Sequence, residues 1–305
     1  MLSSHTPSAH AVDLVRGAYD LHVHVAPDVM PRRITDLELA GRFVERGLAG
    51  FGIKSHYAPT AERAALVNAS VPGINALGAI TLNASVGGLN PLAVEIAARQ
   101  GAAIVWLPTV DSVNQRIAAG AMPAGATPPL WMALQDDLRA RGMEAGAVEV
   151  VDEDGRPLSA TIDVLKVIAE HDLILATGHL GAAEIRTVTA AAFEAGVRKV
   201  VVTHPEFPHQ NLSVADQIVL ADMGAYLERC FTTPYTGKVD WSRMVDNIRQ
   251  TGIGRSLVST DLGQPANPPV EDGLPLMADA LLAAGFTESE VHQAIVGNSR
   301  RLVHG

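Results

Sequence analysis

The chain has 305 residues, of which 48% are hydrophobic, and a formal net charge of −10. This length and composition suffice for a sizeable core, either as two ordinary domains or as one large α/β barrel. The acidic charge and the scattered Lys and Arg argue against nucleic acid as a partner, because that needs a clustered basic face. No apolar run approaches the roughly 20 residues of a membrane span, which argues against a membrane protein.

Two features bear on the cellular compartment. Residues 1–20 lack a basic segment followed by an apolar stretch, so no secretory signal is expected. The single cysteine, Cys230, cannot form an internal disulfide, which fits a reducing environment. We therefore expect a soluble, cytoplasmic protein.

After a polar leader at residues 1–16, short apolar runs alternate with longer amphipathic stretches. The apolar runs predict eight strands, at 18–25, 50–55, 74–82, 103–107, 173–177, 199–203, 225–228 and 256–260. The amphipathic stretches predict eight helices, at 35–46, 60–69, 91–99, 160–170, 182–195, 214–223, 241–250 and 274–284. Glycines such as Gly47 and Gly196 fall where a helix should end before the next strand. Eight strand–helix units predict a single (β/α)8 TIM barrel.

Two segments lie outside this alternation. Residues 110–157 contain several prolines and glycines, followed by a predicted hairpin with Asp154 and Gly155 at its turn. An insertion after the fourth strand would lie over the top of the barrel, so we interpret it as a lid or substrate-facing loop. Residues 287–303 open with a capping-box pattern and predict a final C-terminal helix.

Histidines and carboxylates recur at the predicted strand ends. The first strand carries His22 and His24, whose side chains point to the same side because alternate residues of a strand share a face. His179, His204 and Asp261 follow the fifth, sixth and eighth strands. Catalytic groups of such barrels come from the C-terminal ends of different strands. Imidazole and carboxylate are the usual ligands of zinc and its neighbours, so the pattern predicts a metal centre.

The second strand ends with Lys54 and His56. A lysine in a barrel mouth must lose its charge or find an anion, because an isolated buried ammonium is costly. Three interpretations of Lys54 stay open: a carbamate formed with carbon dioxide that bridges two cations, an ammonium that binds a substrate carboxylate, or a structural side chain that extends to solvent. His56 is either a further ligand or a donor that polarises a substrate carbonyl.

Further polar residues near the strand ends are candidates for substrate binding or support. Arg32, beyond the first strand, and Arg63, near the exit of the second, could bind a substrate carboxylate or phosphate. Asn83, after the third strand, could donate a hydrogen bond to the substrate. Glu228, on the seventh strand, either supports a ligating histidine or forms a surface ion pair with Arg229.

The strand-end residues, together with Asp-Leu-His22-Val-His24 and the closing Gly297-Asn-Ser-Arg-Arg-Leu-Val303, resemble the amidohydrolase superfamily of metal-dependent hydrolases. The resemblance implies that His22, His24 and Asp261 hold one metal ion. It also implies that His179 and His204 hold a second ion or share the site, and that Asp261 takes a proton from the attacking water. Zinc is the first expectation, as one or two ions, with manganese or iron as alternatives.

The sequence departs from the pattern of this superfamily at the fourth strand. Many binuclear members bridge their metals there with a carboxylated lysine or a glutamate, whereas residues 105–109 offer neither. Lys54 could take that place from the second strand, since some members recruit a bridging residue from there.

These features predict an enzyme that hydrolyses an amide, a cyclic amide or imide, or an ester of a small molecule. Metal-activated water would attack the carbonyl, with Asp261 and His56 as catalytic residues. Decarboxylation by a single-metal lyase and hydrolysis of a phosphoester or phosphotriester are alternatives with the same ligands. A barrel that binds a metal or ligand without turnover is the non-enzymatic alternative. Barrels often associate, so a homo-oligomer is an open alternative to a monomer.

Overall fold

Eight parallel strands form one sheet in the order of the chain. They are described in a computed structural model, which covers residues 6–121, 130–143 and 146–305. The strands are β1 (Tyr19–Val23), β2 (Gly50–Ile53), β3 (Asn75–Thr81), β4 (Ala102–Trp106), β5 (Ile174–Ala176), β6 (Lys199–Val202), β7 (Tyr226–Cys230) and β8 (Ser256–Ser259).

The sheet closes on itself between its first and last strands. Val23 and Leu262 form a parallel bridge, and the backbone N–H of His24 donates to the Leu262 carbonyl at 2.8 Å. The N–H of Asp261 donates to the His22 carbonyl, also at 2.8 Å. The predicted (β/α)8 barrel is therefore confirmed.

Helices alternate with these strands. They are α1 (Ala9–Leu14), α2 (Asp36–Arg46), α3 (Ala61–Ser70), α4 (Pro91–Arg99), α5 (Val113–Gly120), α6 (Leu130–Ala140), α7 (Ser159–Glu170), α8 (Ala182–Glu194), α9 (Val214–Met223), α10 (Thr232–Tyr235), α11 (Trp241–Thr251), α12 (Val270–Ala283), α13 (Glu288–His292) and α14 (Asn298–His304). Every predicted strand and helix is present. The largest difference is at α12, which begins four residues before its predicted start, with Glu271 and Asp272 in its first turn.

The segments outside the eight strand–helix units contain helices that were not predicted from the sequence. Within the 110–157 insertion, residues 122–129 and 144–145 lie outside the described part of the chain, as do residues 1–5 of the leader. The described part of the insertion contains α5 and α6, which were not predicted. Its hairpin turn is present, since Val151 and Pro157 form an antiparallel bridge. The leader contains α1, whose Ala11 is buried in the core.

The C-terminal tail packs against the N-terminal ends of β1 and β8. The predicted helix 287–303 is present as α13, a π-helical turn at Gln293–Gly297, and α14. The Asn298 amide donates to the carbonyl of Ser256 at 2.7 Å, and the N–H of Tyr19 donates to Ser299 Oγ at 3.1 Å. Tyr19 and Ser256 are the first residues of β1 and β8, so the tail binds both strands at their N-terminal ends.

Apolar side chains fill the inside of the barrel, among them Leu21, Leu77, Ile104 and Leu257. Two larger apolar clusters lie between the sheet and the surrounding helices. Polar groups therefore collect at the C-terminal end of the strands. Within the described ranges, no helix combines the length and apolar character needed to cross a membrane.

Candidate metal centre

Five imidazole rings form a closed circle at the C-terminal end of the barrel. They come from β1 and the residue after it and from the segments after β2, β5 and β6, and all five are buried. The distances between neighbouring ring centroids are 5.5 Å for His22–His24, 5.1 Å for His24–His56, 5.9 Å for His56–His179, 5.1 Å for His179–His204 and 6.1 Å for His204–His22. The fold thus brings together every histidine that the sequence placed at a strand end.

The most compact set of ligand atoms belongs to His22, His24 and Asp261. Each histidine has its Nε2 atom 3.2 Å from Asp261 Oδ1, and one ligand atom from each of the three residues lies within 4.8 Å of the others. The backbone of the acidic ligand itself is unusual, because Asp261 has a φ of 55°. Left-handed backbone of a non-glycine residue costs free energy and is enriched at functional sites. Two residues later, a Cβ on Gly263 would lie 1.7 Å from the His24 carbonyl oxygen, so only glycine lets this loop pass β1.

Glu228 orients the first histidine. Both of its carboxylate oxygens lie 3.2 Å from His22 Nδ1, which leaves Nε2 to face Asp261. A carboxylate on the far nitrogen of a ligating histidine is a common arrangement in metal sites. Burial alone would raise the pKa of Glu228, but the charge and hydrogen bond of His22 lower that pKa to about 2. The alternative ion pair with Arg229 is not formed, since Arg229 points to the other face of β7 and pairs with Glu206.

Two acidic groups favour the protonated form of His22 in the absence of a cation. Burial and the neighbouring Lys54 both lower its pKa, but Glu228 and Asp261 outweigh them and raise it to about 9. A second three-residue group is formed on the other side of this ring by His22, Glu228 and Cys230. The thiol is fully buried, with its Sγ atom 3.8 Å from His22 Nδ1.

The remaining ligand candidates lie next to the first set. His179 Nδ1 lies 2.9 Å from Gln115 Oε1, so the amide oxygen accepts its proton and leaves Nε2 unprotonated. The Nδ1 atom of His204 is buried and has no hydrogen-bond partner among the described residues. His204 also has a left-handed backbone, with a φ of 25°. A buried nitrogen without a partner is costly unless something binds it.

These residues fit a divalent cation. Burial is the largest cause that lowers the pKa of His24 and of His204 to about 3, and it holds the pKa of His179 well below the usual range. Neutral imidazole is the form that binds a metal. Burial alone would raise the pKa of Asp261, but His22 and His24 hold it well below its usual range, so the carboxylate is ionised. The described residues therefore offer nitrogen and oxygen ligands of the kind that zinc prefers.

Lys54 points into the centre and not to solvent. Its Nζ atom lies 2.9 Å from His22 Nε2 and 5.3 Å from the ring centroid of Trp106, and the residue is 1% exposed. This geometry rules out the interpretation that Lys54 extends outward. Burial lowers the pKa of the amine. A hydrogen bond at 2.9 Å between these two nitrogens requires one of them to act as the acceptor. Lys54 and His22 are therefore not both positively charged.

The three predicted substrate contacts differ in their placement. Arg32 is close to the centre, with Nη2 3.4 Å from His24 Nδ1, and its guanidinium is held by Asp28 at 2.8 Å. Arg63 pairs with Asp36 at 3.0 Å and donates to the Val25 carbonyl at 3.1 Å. These bonds favour a role for Arg63 in joining α2, α3 and the loop after β1 over the predicted contact with substrate.

Asn83 is fully buried, and its amide is occupied by the chain itself. Nδ2 donates to the His56 carbonyl at 2.8 Å and to Thr109 Oγ1 at 2.7 Å, while Oδ1 accepts from the N–H groups of Thr109 and Asp111. This favours a positioning role over the predicted substrate contact. His56 itself has its Nδ1 atom 2.9 Å from Thr109 Oγ1.

The structure adds residues that sequence reasoning missed. The buried carboxylate of Asp20 accepts from the N–H of Thr260 at 3.0 Å, from its hydroxyl at 2.5 Å and from the N–H of His22 at 3.3 Å. Burial raises the pKa of Asp20 to about 7 despite these hydrogen bonds. Asp20 joins β1 to the end of β8. The register of β1 shifts between Asp20 and Val23, so the position of Asp20 two residues before His22 did not reveal this role.

His209 was also missed, although it follows a predicted strand end by only a few residues. Its ring centroid lies 5.7 Å from that of His179 and 4.7 Å from that of Phe207. Asn114, in the insertion, donates to the carbonyls of His179 at 3.1 Å and His209 at 2.9 Å. The insertion is therefore hydrogen-bonded to two loops at the mouth of the barrel.

Solved structures share this fold. An amidohydrolase from Pseudomonas aeruginosa superposes with a TM-score of 0.63 at 12% identity, covering 97% of this chain and 98% of that chain. A dipeptidase described as a metallopeptidase gives 0.57 at 14%, covering 95% and 98%. Enamidase, described as a member of the amidohydrolase superfamily, gives 0.56 at 14%, covering 94% and 67%. At these identities the likeness is one of fold, and it agrees with the expected (β/α)8 barrel.

Two sequence comparisons complete this finding. A search of curated proteins gives no significant match. A family model described as a family of unknown function, DUF6282, matches residues 17–228, which include β1 to β6 and all five imidazoles of the circle. Because this match spans more than half of the chain, the protein belongs to the DUF6282 family.

Proposed function

We propose that this protein is a metal-dependent hydrolase that adds water to the carbonyl of an amide, a cyclic amide or imide, or an ester of a small molecule. The convergence of His22, His24 and Asp261 within 4.8 Å, inside a circle of buried imidazoles, carries the proposal. These three residues would hold one cation, and His179 and His204 are the candidates for a second. Zinc is the proposed ion, with manganese or iron as alternatives.

A divalent cation at this centre would lower the pKa of water from about 15.7 towards about 7 and polarise a carbonyl oxygen. Asp261 would accept the proton of that water. Its Oδ1 atom faces the two histidines, and its Oδ2 atom accepts from Thr232 Oγ1 at 3.1 Å. Because the carboxylate is ionised, it can orient the attacking water, take its proton and deliver that proton to the leaving group.

Lys54 is proposed as the site of a carbamate. A neutral amine is the form that reacts with carbon dioxide, and burial favours that form. The resulting anion would lie beside His22, where two cations would need a bridging ligand. The ammonium that binds a substrate carboxylate is the alternative.

The substrate would enter through the mouth of the barrel. We propose that Arg32 binds an anionic group of the substrate, because its guanidinium is held by Asp28 beside His24. The insertion, whose Gln115 contacts His179, is proposed as the lid over this mouth. The lone, buried Cys230 supports a cytoplasmic location.

Removal and return of metal test the proposal. Protein stripped with a chelator should lose turnover of a panel of amides, imides, lactams and esters, and stoichiometric zinc, manganese or iron should restore it. Elemental analysis of the untreated protein should find one or two ions per chain. Full activity of a demonstrably metal-free preparation would refute the proposal.

A single-metal decarboxylase is the second candidate. The observation that favours it is the complete three-residue set of His22, His24 and Asp261, while Lys54 needs carbon dioxide before it can bridge. One ion per chain, with release of carbon dioxide from an aromatic acid, would support decarboxylation over hydrolysis.

A further inference from the structure

Hydrogen-bond polarity is fixed along a buried path from Asn83 to His56. The Asn83 carbonyl oxygen accepts from two backbone N–H groups, those of Thr109 at 2.8 Å and Asp111 at 3.2 Å. Its NH₂ group therefore occupies the other position, where it faces the carbonyl oxygen of His56 at 2.8 Å. Three backbone groups of known polarity thus settle the orientation of this amide.

The second step passes through the hydroxyl of Thr109. Asn83 Nδ2 donates to Thr109 Oγ1 at 2.7 Å, so this oxygen acts as an acceptor there. The hydroxyl proton must then go elsewhere. Among the described residues, its one other partner is His56 Nδ1, at 2.9 Å. Thr109 is fully buried, so a hydroxyl proton without an acceptor would be costly.

The third step decides the state of His56. If Thr109 donates to Nδ1, that nitrogen is unprotonated, and the neutral ring carries its proton on Nε2. Nε2 has no hydrogen-bond partner within the described ranges, and 7% of the residue stays accessible. The His56 ring lies beside the rings of His24 and His179. Its Nε2–H group is therefore a donor within the circle of imidazoles.

The polarity at His56 is opposite to that at His22 and His179. His22 and His179 have their Nδ1 atoms against the oxygens of Glu228 and Gln115, so Nδ1 carries a proton in each ring and Nε2 is the atom that would bind a metal. At His24, Nδ1 can only accept from the Arg32 guanidinium, at 3.4 Å, and Nε2 faces the carboxylate of Asp261 at 3.2 Å. His56 differs from His24 because its Nε2 faces no acceptor among the described residues, so its proton stays available to a ligand.

We infer that the relay from Asn83 through Thr109 holds His56 as the Nε2–H tautomer, and that His56 donates a hydrogen bond to the substrate carbonyl oxygen instead of binding metal. Such a donor would stabilise the negative charge that develops on that oxygen during attack. Asn83 and Thr109 are then positioning residues. The identity of the acceptor rests on the proposed function, whereas the tautomer does not.

The tautomer can be read directly by NMR spectroscopy of metal-free protein labelled with ¹⁵N-histidine. Long-range ¹H–¹⁵N correlations distinguish a protonated Nε2 from a protonated Nδ1, and a His56→Gln variant assigns the signals. We expect an Nε2–H pattern for His56 in the unmodified chain. An Nδ1–H pattern would overturn the inference.

Substitutions at Thr109 test the relay. Thr109→Ser keeps the hydroxyl and should keep the Nε2–H pattern, whereas the nearly isosteric Thr109→Val should mix the two tautomers. Thr161→Val is the matched control, because it removes another buried hydroxyl, one that donates to the Val150 carbonyl. A His56 pattern that stays fixed in Thr109→Val would remove Thr109 from the relay.

Metal content separates a donor from a ligand. His56→Ala should lower kcat by about 10²–10³-fold, the usual effect of losing one such donor, and leave bound metal unchanged. Loss of an ion from His56→Ala would show that His56 is a ligand. If no metal or turnover is found at all, the proposed function fails while the NMR result still decides the tautomer.

Discussion

The carboxylate of Asp261 is proposed to have two roles, and one substitution can separate them. Asparagine keeps an oxygen for a cation but cannot take a proton. We expect Asp261→Asn to retain metal while kcat falls by about 10²–10⁴-fold, the range for loss of a general base. Kinetics and elemental analysis of the same preparation check this. Asp246→Asn is a control at an exposed position on α11, and equal kcat values for the two variants would exclude Asp261 as the base.

Glu228 is expected to act through His22. Glu228→Gln removes the carboxylate that fixes the protonated nitrogen of this ring, and the affinity for metal should fall by about 10–100-fold. Titration of the stripped protein with zinc measures the change. Cys230→Ala serves as the comparison, because the thiol contacts the same ring at 3.8 Å. If Cys230→Ala weakens binding as much as Glu228→Gln, the ion binds at the His22, Glu228 and Cys230 group instead.

At the scale of elements, α5 connects the insertion to the candidate metal centre. Gln115→Leu removes the oxygen that accepts from His179 Nδ1, so zinc binding that involves His179 should weaken by about 10–100-fold. Ile117→Ala, at an exposed position on the same helix, should leave the titration unchanged. Identical isotherms for the two variants would mean that the insertion does not support metal binding.

The loop after β6 is held by a buried ion pair between Arg229 and Glu206. Arg229→Met leaves a buried carboxylate unpaired and should lower the free energy of unfolding by about 3–5 kcal/mol. Replacing both residues with apolar side chains, as Arg229→Met with Glu206→Leu, should recover most of this loss. Urea denaturation measures each variant. Arg99→Met, which breaks an exposed pair with Glu95, should cost no more than about 1 kcal/mol.

For the whole molecule, the buried histidines predict how the stability of the metal-free protein depends on pH. Burial lowers the folded-state pKa of His24 and His204 from 6.5 to about 3. Below pH 6.5 the unfolded chain binds protons that the folded chain does not. Stability is therefore fully present above that pH and falls towards pH 3, by about 1.4 kcal/mol per pH unit for each residue.

His22 has the opposite sign. Glu228 and Asp261 overcome burial and raise its folded-state pKa to about 9, so its stabilisation is full below pH 6.5 and is lost as the pH rises to 9. Urea denaturation across this range should show a maximum near the ordinary pKa of histidine. His204→Gln should reduce the acidic slope by one proton, and an unchanged slope would contradict the low pKa of His204.

The barrel and the histidines at its rim could be predicted from the sequence alone. Alternation of apolar strands and amphipathic helices depends on neighbours within one turn or one pleat, so it is readable locally. His22 and His24 share a strand face for the same reason. Because parallel strands end at one rim of a barrel, His179, His204 and Asp261 could be placed there without coordinates.

The partners of these side chains are visible only in the folded protein. Glu228 reaches His22 across 206 positions of the chain and Gln115 reaches His179 across 64, and no local pattern encodes such pairs. Asn83 was predicted to face the substrate, but its amide is used within the chain. The spacing of apolar residues reflects which side of a strand or helix is buried, so it is visible in the sequence. The positions of protons depend on partners that only the closed barrel brings within hydrogen-bonding distance.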